Sequence, residues 1–184
     1  MSEKEQQIKG KKQAPGQEHP LRQVRIGKIT LNIGAGKDEA QLKKGLRLLQ
    51  KISPQLPVKT FAKKRIPAWG LRPGLAIGAK VTLRKGTEEL LHRLLAAKEN
   101  TLQERQFDEL GNVSFGIPEY IDIVGLAYDP ELKIMGLEVA VTLERPGYRI
   151  IHRKFKRGRV GKRQQVYKAE AIHFFKKLGV NIQP

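Results

Sequence analysis

The sequence predicts an α+β fold built around a mostly antiparallel sheet. In several short segments apolar residues alternate with polar ones, which is typical of strands with one buried face. In other segments apolar residues recur every three or four positions, which is typical of amphipathic helices. Strand and helix segments follow one another irregularly, whereas a parallel sheet would require regular alternation.

The chain of 184 residues is long enough for one domain with a real core, since 39% of its residues are hydrophobic. Residues 1–21 are polar and contain two prolines, so we expect a flexible N-terminal tail before a single domain at residues 22–184. There is no apolar segment typical of a signal peptide or a membrane span. These features predict a cytoplasmic protein that does not act on a membrane.

The first half of the predicted domain begins with a strand at residues 24–33, where Ile29 and Leu31 alternate with polar neighbours. A helix is predicted at residues 37–52 because its apolar residues fall on one face, and these are Leu42, Leu46, Leu49 and Ile52. A short strand is predicted at residues 58–61. A long loop rich in Gly and Pro follows at residues 63–78.

The second half begins with a strand at residues 79–84 and a helix capped by Thr87, whose apolar stripe is Leu90, Leu91, Leu94 and Leu95. Short strands are predicted at residues 112–115, 120–124 and 137–143. A basic segment at residues 148–168 and a last helix at residues 169–178 complete the domain.

Charge is sorted along the chain, whose formal net charge is +18. Residues 40–87 hold twelve Lys or Arg and no acidic residue, and residues 145–168 hold ten Lys or Arg and no acidic residue. Ten of the 18 carboxylates lie in residues 99–144. Two uncompensated cationic stretches repel themselves unless a polyanion binds them, so nucleic acid is the expected partner.

Catalysis, metal binding and cofactor binding are not expected. The chain has no cysteine, and its four histidines are scattered without metal-binding spacing. Gly34 and Gly36 lack the further glycines of a dinucleotide fingerprint or a P-loop. A ribonuclease using Glu and His is the remote enzyme alternative, although the sequence shows no such constellation.

Two segments are the candidate RNA contacts. The loop at residues 63–78 is too long for a simple connection, and it offers charge and a stacking plane from Lys63, Lys64, Arg65, Trp69 and Arg72. The basic segment offers Arg153, Lys154, Lys156, Arg157, Arg159, Lys162 and Arg163. The alternatives are that Trp69 packs onto the core and that the basic segment is only a solvated run.

Several segments in a fixed order resemble the universal large-subunit ribosomal protein five family. They are ITLNIG at 29–34, QLPV at 55–58, AKK at 62–64, IGAKVTLR at 77–84, FDELGNVSFG at 107–116 and YIDI at 120–123. The stretch VTLERPGY at 141–148 and the basic segment after it resemble the archaeal and eukaryotic branch. The resemblance covers about residues 24–178.

The resemblance implies an antiparallel sheet with helices on one face and a place in the central protuberance. It implies binding to 5S rRNA, with Asn32, Gln55 and Thr82 at the family's contact positions, and contact with other large-subunit rRNA. It also implies that the loop at residues 63–78 faces the peptidyl-site tRNA. Further implied partners are a protein of the small-subunit head and another 5S rRNA-binding ribosomal protein. The alternative function is an extra-ribosomal basic RNA chaperone or nucleic-acid-binding module.

Overall fold

A computed structural model describes residues 19–184, so the predicted tail lies almost entirely outside the described residues. The described chain forms seven strands and four α-helices. In chain order they are β1 (Arg25–Gly34), α1 (Glu39–Ile52), β2 (Val58–Phe61), β3 (Ala76–Leu83), α2 (Thr87–Ala96), β4 (Thr101–Gln103), β5 (Val113–Ile117), β6 (Leu137–Glu144), α3 (Arg149–His152), α4 (Lys168–Lys177) and β7 (Asn181–Gln183).

Five strands form one antiparallel sheet in the order β2-β3-β1-β6-β5, which confirms the predicted α+β class. Strand β1 is central: Ile29 lies opposite Leu83 of β3 on one side and opposite Val141 of β6 on the other. Strands β4 and β7 form a separate parallel pair. Both are only three residues long, too short for an alternating pattern, and the sequence did not predict them.

The two faces of the sheet differ because side chains alternate along each strand. One face is apolar and packs against α1 and α2, with Leu31, Val81 and Val139 almost fully buried. Helix α1 approaches β1 closely at Gly45, where an added Cβ would lie 3.1 Å from Cγ2 of Ile33. The core therefore lies between the sheet and its helices.

Helices α1 and α2 were predicted well except at their starts. Helix α1 begins at Glu39, and the carboxylate of Asp38 caps it by accepting a hydrogen bond from the Ala40 N–H at 2.8 Å. The prediction that Thr87 caps α2 is wrong. Gly86 occupies the cap position with φ +62°, and Thr87 is buried in the first turn.

The strand predicted at residues 120–124 is also wrong. Tyr120–Asp122 is one turn of 3₁₀-helix, in which Tyr120 and Ile123 are buried while Val124 is exposed. A spacing of three between buried residues suits this tighter helix, not a strand. Strand β3 begins at Ala76, three residues before its predicted start, so the preceding loop is shorter than expected. Within residues 19–184 no helix is long and apolar enough to cross a lipid bilayer.

Candidate nucleic-acid interface

The face of the sheet opposite α1 and α2, here called the open face, carries mostly polar and small side chains that are exposed or half-buried. They come from all five strands because of the antiparallel register. Its members include Lys28, Thr30, Asn32, Thr60, Lys80, Thr82, Ser114, Ala140 and Thr142. Such a surface has hydrogen-bonding groups for riboses and base edges, and Val58, opposite Lys80, adds one exposed apolar side chain at its edge.

Asn32 and Thr82 lie together on this open face. Asn32 of β1 is opposite Lys80 of β3, and Thr82 is the next β3 residue on the same face. The Asn32 amide donates a hydrogen bond to the Glu138 carboxylate at 3.2 Å, which leaves its carbonyl oxygen and second N–H for another partner. The hydroxyl oxygens of Thr82 and Thr30 are 3.3 Å apart.

Gln55 lies outside the sheet, three residues before edge strand β2. It is exposed in the connection between α1 and β2, and its backbone N–H donates to the Ser53 hydroxyl at 3.1 Å. Edge strand β2 begins three residues later, with Val58 opposite Lys80. The structure thus brings Asn32 and Thr82 together and places Gln55 in the segment that leads to the neighbouring edge strand.

The predicted loop at residues 63–78 connects β2 to β3 at the end of a hairpin, and its last three residues belong to β3. Its base is closed by the Ala62 N–H, which donates to the Leu75 carbonyl at 2.8 Å, and by the Gly74 N–H, which donates to the Ala62 carbonyl at 3.0 Å. Farther out, Ile66 and Leu71 exchange two backbone hydrogen bonds of 3.1 Å. The loop is therefore a closed turn with a defined backbone path.

All five predicted contact residues of this loop are exposed, namely Lys63, Lys64, Arg65, Trp69 and Arg72. The alternative that Trp69 packs onto the core is wrong, because its side chain is 68% exposed. Leu71 is buried instead and anchors the loop. The indole ring and the cations are thus accessible to a ligand.

All seven predicted contacts of the basic segment are exposed as well: Arg153, Lys154, Lys156, Arg157, Arg159, Lys162 and Arg163. The segment contains the one-turn helix α3, a turn near Phe155 and a 3₁₀ turn at Lys162–Gln164. Val166 at its far end is buried in the core. The segment thus runs over the surface and is fastened at its end.

Arg145 belongs to this stretch by sequence but has a different role. It is buried, and its guanidinium donates to the backbone carbonyls of Arg22, Arg163 and Gln165 at 2.9, 3.3 and 3.0 Å. It also donates to the Glu170 carboxylate at 2.6 Å. Arg145 therefore ties the chain before β1, the basic segment and α4 together, and its charge is compensated inside the protein.

The two cationic stretches are partly compensated in space, which corrects the expectation from sequence. Five of their cations pair with carboxylates in the described residues, and the pairs are Lys43–Glu39 at 3.5 Å, Arg47–Glu131 at 2.6 Å, Lys51–Asp129, Arg145–Glu170 at 2.6 Å and Lys168–Glu104 at 2.8 Å. The hydrogen bond from Lys51 lowers the pKa of Asp129, and that from Lys168 lowers the pKa of Glu104.

Most of the remaining cations of the two stretches lie at the predicted contact sites, and the others are Lys44, Lys59, Lys80, Arg84, Lys85 and Arg149. Within residues 19–184, none of the four loop cations or the seven basic-segment cations forms an ion pair with a carboxylate. Internal pairing thus compensates part of both stretches, and it leaves the loop and basic-segment cations, together with Lys80 on the open face, for an external anion.

Two family models match the chain. Residues 19–72 match the model described as ribosomal protein L5, and residues 76–174 match the model of the C-terminus of the same ribosomal family. The chain belongs to the ribosomal L5 family. The boundary between the two matched parts falls in the loop between β2 and β3.

Curated archaeal relatives, each named large ribosomal subunit protein uL5, are similar to the chain over most of its length. The Nanoarchaeum equitans protein is 49% identical over 168 residues, covering 90% of this chain and 99% of the relative. The Sulfurisphaera tokodaii protein is 46% identical over 160 residues, covering 86% and 90%. The Methanococcus vannielii protein is 41% identical over 171 residues, covering 90% and 94%.

Family membership makes this chain a structural ribosomal protein and not an enzyme, as the sequence predicted. The ribonuclease and extra-ribosomal alternatives have no support from the family. In the described part of the L5-family chain, no three His, Asp or Glu side chains are grouped so that they could hold a metal ion.

Proposed function

We propose that this chain is a structural constituent of the large ribosomal subunit that binds 5S rRNA in the central protuberance through the open face of its sheet. It acts in the cytoplasm as part of the ribosome. The observation that carries the proposal is the placement of Asn32 and Thr82 on adjacent strands of a polar face. An amide and a hydroxyl at that spacing suit ribose hydroxyls and base edges.

Glu138 defines what the open face can accept beside Asn32. Its carboxylate receives the Asn32 amide hydrogen bond, and a fixed negative charge there opposes a phosphate. A ribose hydroxyl or a base amino group can instead donate to it. We therefore assign this part of the open face to riboses and bases, and the phosphates to the neighbouring lysines, Lys28 and Lys80.

The first test measures binding of purified protein to a 5S rRNA transcript. Asn32→Ala, Gln55→Ala and Thr82→Val should each weaken binding by roughly 5- to 150-fold, since a good polar contact to a nucleic acid contributes about 1–3 kcal/mol. The matched control is Gln50→Ala, which removes an exposed amide from α1 on the helical side. Unchanged affinity in all three site variants would refute the assignment.

The second test measures how this affinity depends on salt. If about five phosphates are neutralised, log affinity should fall with log salt with a slope of roughly −3.5 to −4.5. The cations available for this are those without carboxylate partners, because the paired cations keep their internal contacts. A slope near zero would contradict polyanion binding.

We also propose that the loop between β2 and β3 faces peptidyl-site tRNA. The exposed indole of Trp69 provides a stacking surface and the neighbouring cations provide phosphate contacts. Changing Lys63, Lys64, Arg65 and Arg72 together to Ala should lower tRNA affinity on reconstituted subunits more than it lowers 5S rRNA affinity. Collapse of 5S rRNA binding with normal tRNA affinity would assign the loop to the 5S rRNA interface.

The remaining proposed partners are large-subunit rRNA for the basic segment, a protein of the small-subunit head, and another 5S rRNA-binding ribosomal protein. The exposure of the seven basic-segment cations supports the rRNA contact. The two protein contacts are supported by the family resemblance. Crosslinking on intact ribosomes, followed by identification of the attached chains, tests both of them.

A further inference from the structure

Phe155 stands out among the exposed apolar residues of the described chain. Its side chain is 79% exposed, although phenylalanine is usually buried. It lies in residues 149–158, here called the cationic turn. The two residues before it and the two residues after it are all exposed cations. The Lys154 ammonium is 5.9 Å from the centre of the Phe155 ring.

Backbone hydrogen bonds close the cationic turn on both sides of the exposed Phe155 ring. The Arg153 N–H donates to the Arg149 carbonyl at 3.0 Å, and the Gly158 N–H donates to the Ile150 carbonyl at 3.2 Å, which closes the turn. Gly158 also packs so tightly that an added Cβ would lie 2.9 Å from Cγ2 of Ile150. The two ends of the turn are therefore fixed, and Phe155 lies exposed between them.

We propose that Phe155 is a base-stacking residue, and that an unpaired base of ribosomal RNA lies on its ring while the flanking cations bind the adjacent phosphates. The proposal rests on the rRNA-binding function proposed above. An unpaired nucleotide offers both a flat π-surface and a phosphate on each side, which matches an aromatic ring between cations. An acidic peptide would match the cations but leave the ring without a partner.

The first experiment measures the affinity of the full chain for two probes, a 5S rRNA transcript and a large-subunit rRNA transcript. Phe155→Ala should weaken binding to one of them by roughly 5- to 150-fold, as expected for loss of one stacked base, and the probe affected identifies the source. Phe155→Tyr keeps a flat ring and should bind like the wild type. The matched control is Tyr128→Ala, which removes a 56%-exposed ring next to Asp129.

The salt dependence separates stacking from charge. Phe155→Ala removes no cation, so it should leave the slope of log affinity against log salt unchanged. Lys154→Ala removes one cation and should make the slope shallower by about 0.7–0.9. If the ring instead served only to position the flanking cations, its removal in Phe155→Ala would displace them. The slope of log affinity against log salt would then change in Phe155→Ala as well.

A fluorescence measurement detects stacking directly. Because Trp69 is the sole tryptophan of the chain, the double variant Trp69→Phe, Phe155→Trp carries one indole at the tip of the cationic turn. Its emission should be quenched when the affected RNA is added. The double variant Trp69→Phe, Tyr128→Trp should remain unquenched.

The outcomes separate this inference from the proposed function. If the wild type binds neither RNA in a salt-dependent way, the rRNA-binding function fails. If the wild type binds RNA but Phe155→Ala binds equally well and the indole at position 155 is not quenched, the stacking inference alone is overturned. That second result would indicate that the exposed ring contacts a protein and not a base.

Discussion

Replacing Arg145 with methionine should loosen the junction between three parts of the chain. The guanidinium donates four hydrogen bonds, three to backbone carbonyls and one to Glu170. Methionine fills similar space and donates none. The carbonyls of Arg22, Arg163 and Gln165 then lose their partner in a region where Arg145 itself is only 9% exposed.

The expected loss of unfolding free energy is about 3 kcal/mol. Breaking a buried ion pair by removing one partner costs about 3–5 kcal/mol. The low end applies because the Glu170 side chain is 39% exposed and water can solvate its carboxylate. For a chain of this length, 3 kcal/mol lowers the melting temperature by about 6–12 °C. The protein should remain folded, since typical stabilities are about 5–15 kcal/mol.

Urea unfolding of the wild type and three variants provides the assay. Arg145→Lys keeps a charge for Glu170 but loses the planar fork, so we expect a loss of about 1–2 kcal/mol. Glu170→Gln leaves the three carbonyl contacts in place and should lose about 1 kcal/mol. Hydrogen exchange at the Gln164 and Gln165 amides should accelerate in Arg145→Met, because the basic segment loses its inner attachment.

A loss below about 1 kcal/mol in Arg145→Met would refute this reasoning, because it would mean that water replaces the guanidinium at all four acceptors. Unchanged exchange at the two glutamine amides would show that the basic segment is held by its other contacts. Equal losses of unfolding free energy in Arg145→Met and Arg145→Lys would show that the planar geometry of the guanidinium, and not its charge, accounts for the stabilisation.

Two further outcomes follow from local geometry. Lys51→Met should raise the pKa of Asp129 towards its ordinary value of 3.8, measured by carboxyl NMR titration. Because the folded pKa is lowered, the wild-type pair stabilises the fold above pH 3.8 and loses this effect as pH falls through the folded value. Gly78→Ala should lose about 1–3 kcal/mol in urea unfolding, because its Cβ would lie 2.6 Å from the Ile33 carbonyl oxygen. Gly116→Ala is the matched control, with no atom within 4 Å, and should change stability by less than about 0.5 kcal/mol.

The sequence predicted the elements whose pattern is long enough to be unambiguous. The stripe of α2 is fully buried as expected, and the alternation around Ile29 correctly placed Asn32 on the opposite face of β1. In α1 the pattern was less exact, because Leu48 is buried while Leu46 is only half-buried. Short apolar runs gave the errors: Tyr120 and Ile123 suit a strand or a tight helical turn equally well by composition.

The candidate site was predictable in its residue types but not in its charge balance. Exposure of the loop and basic-segment cations follows from their lack of any apolar pattern. The pairing of Arg47 with Glu131 joins residues far apart in sequence, so composition along the chain cannot reveal it. The internal role of Arg145 was equally hidden, because its partners are mostly backbone carbonyls that any residue provides.

The central position of β1 has a consequence for how the chain folds during synthesis. Its neighbour β6 follows it by more than 100 residues, which takes about 5–20 s to translate. Until β6 leaves the exit tunnel, one edge of β1 keeps its backbone N–H and C=O groups without a strand partner. Residues 19–72, which match the first family model, contain β1 and β2 but neither neighbour of β1, so they cannot form the sheet alone. We expect the two segments to fold as one cooperative unit after release of β6, despite the family boundary between them.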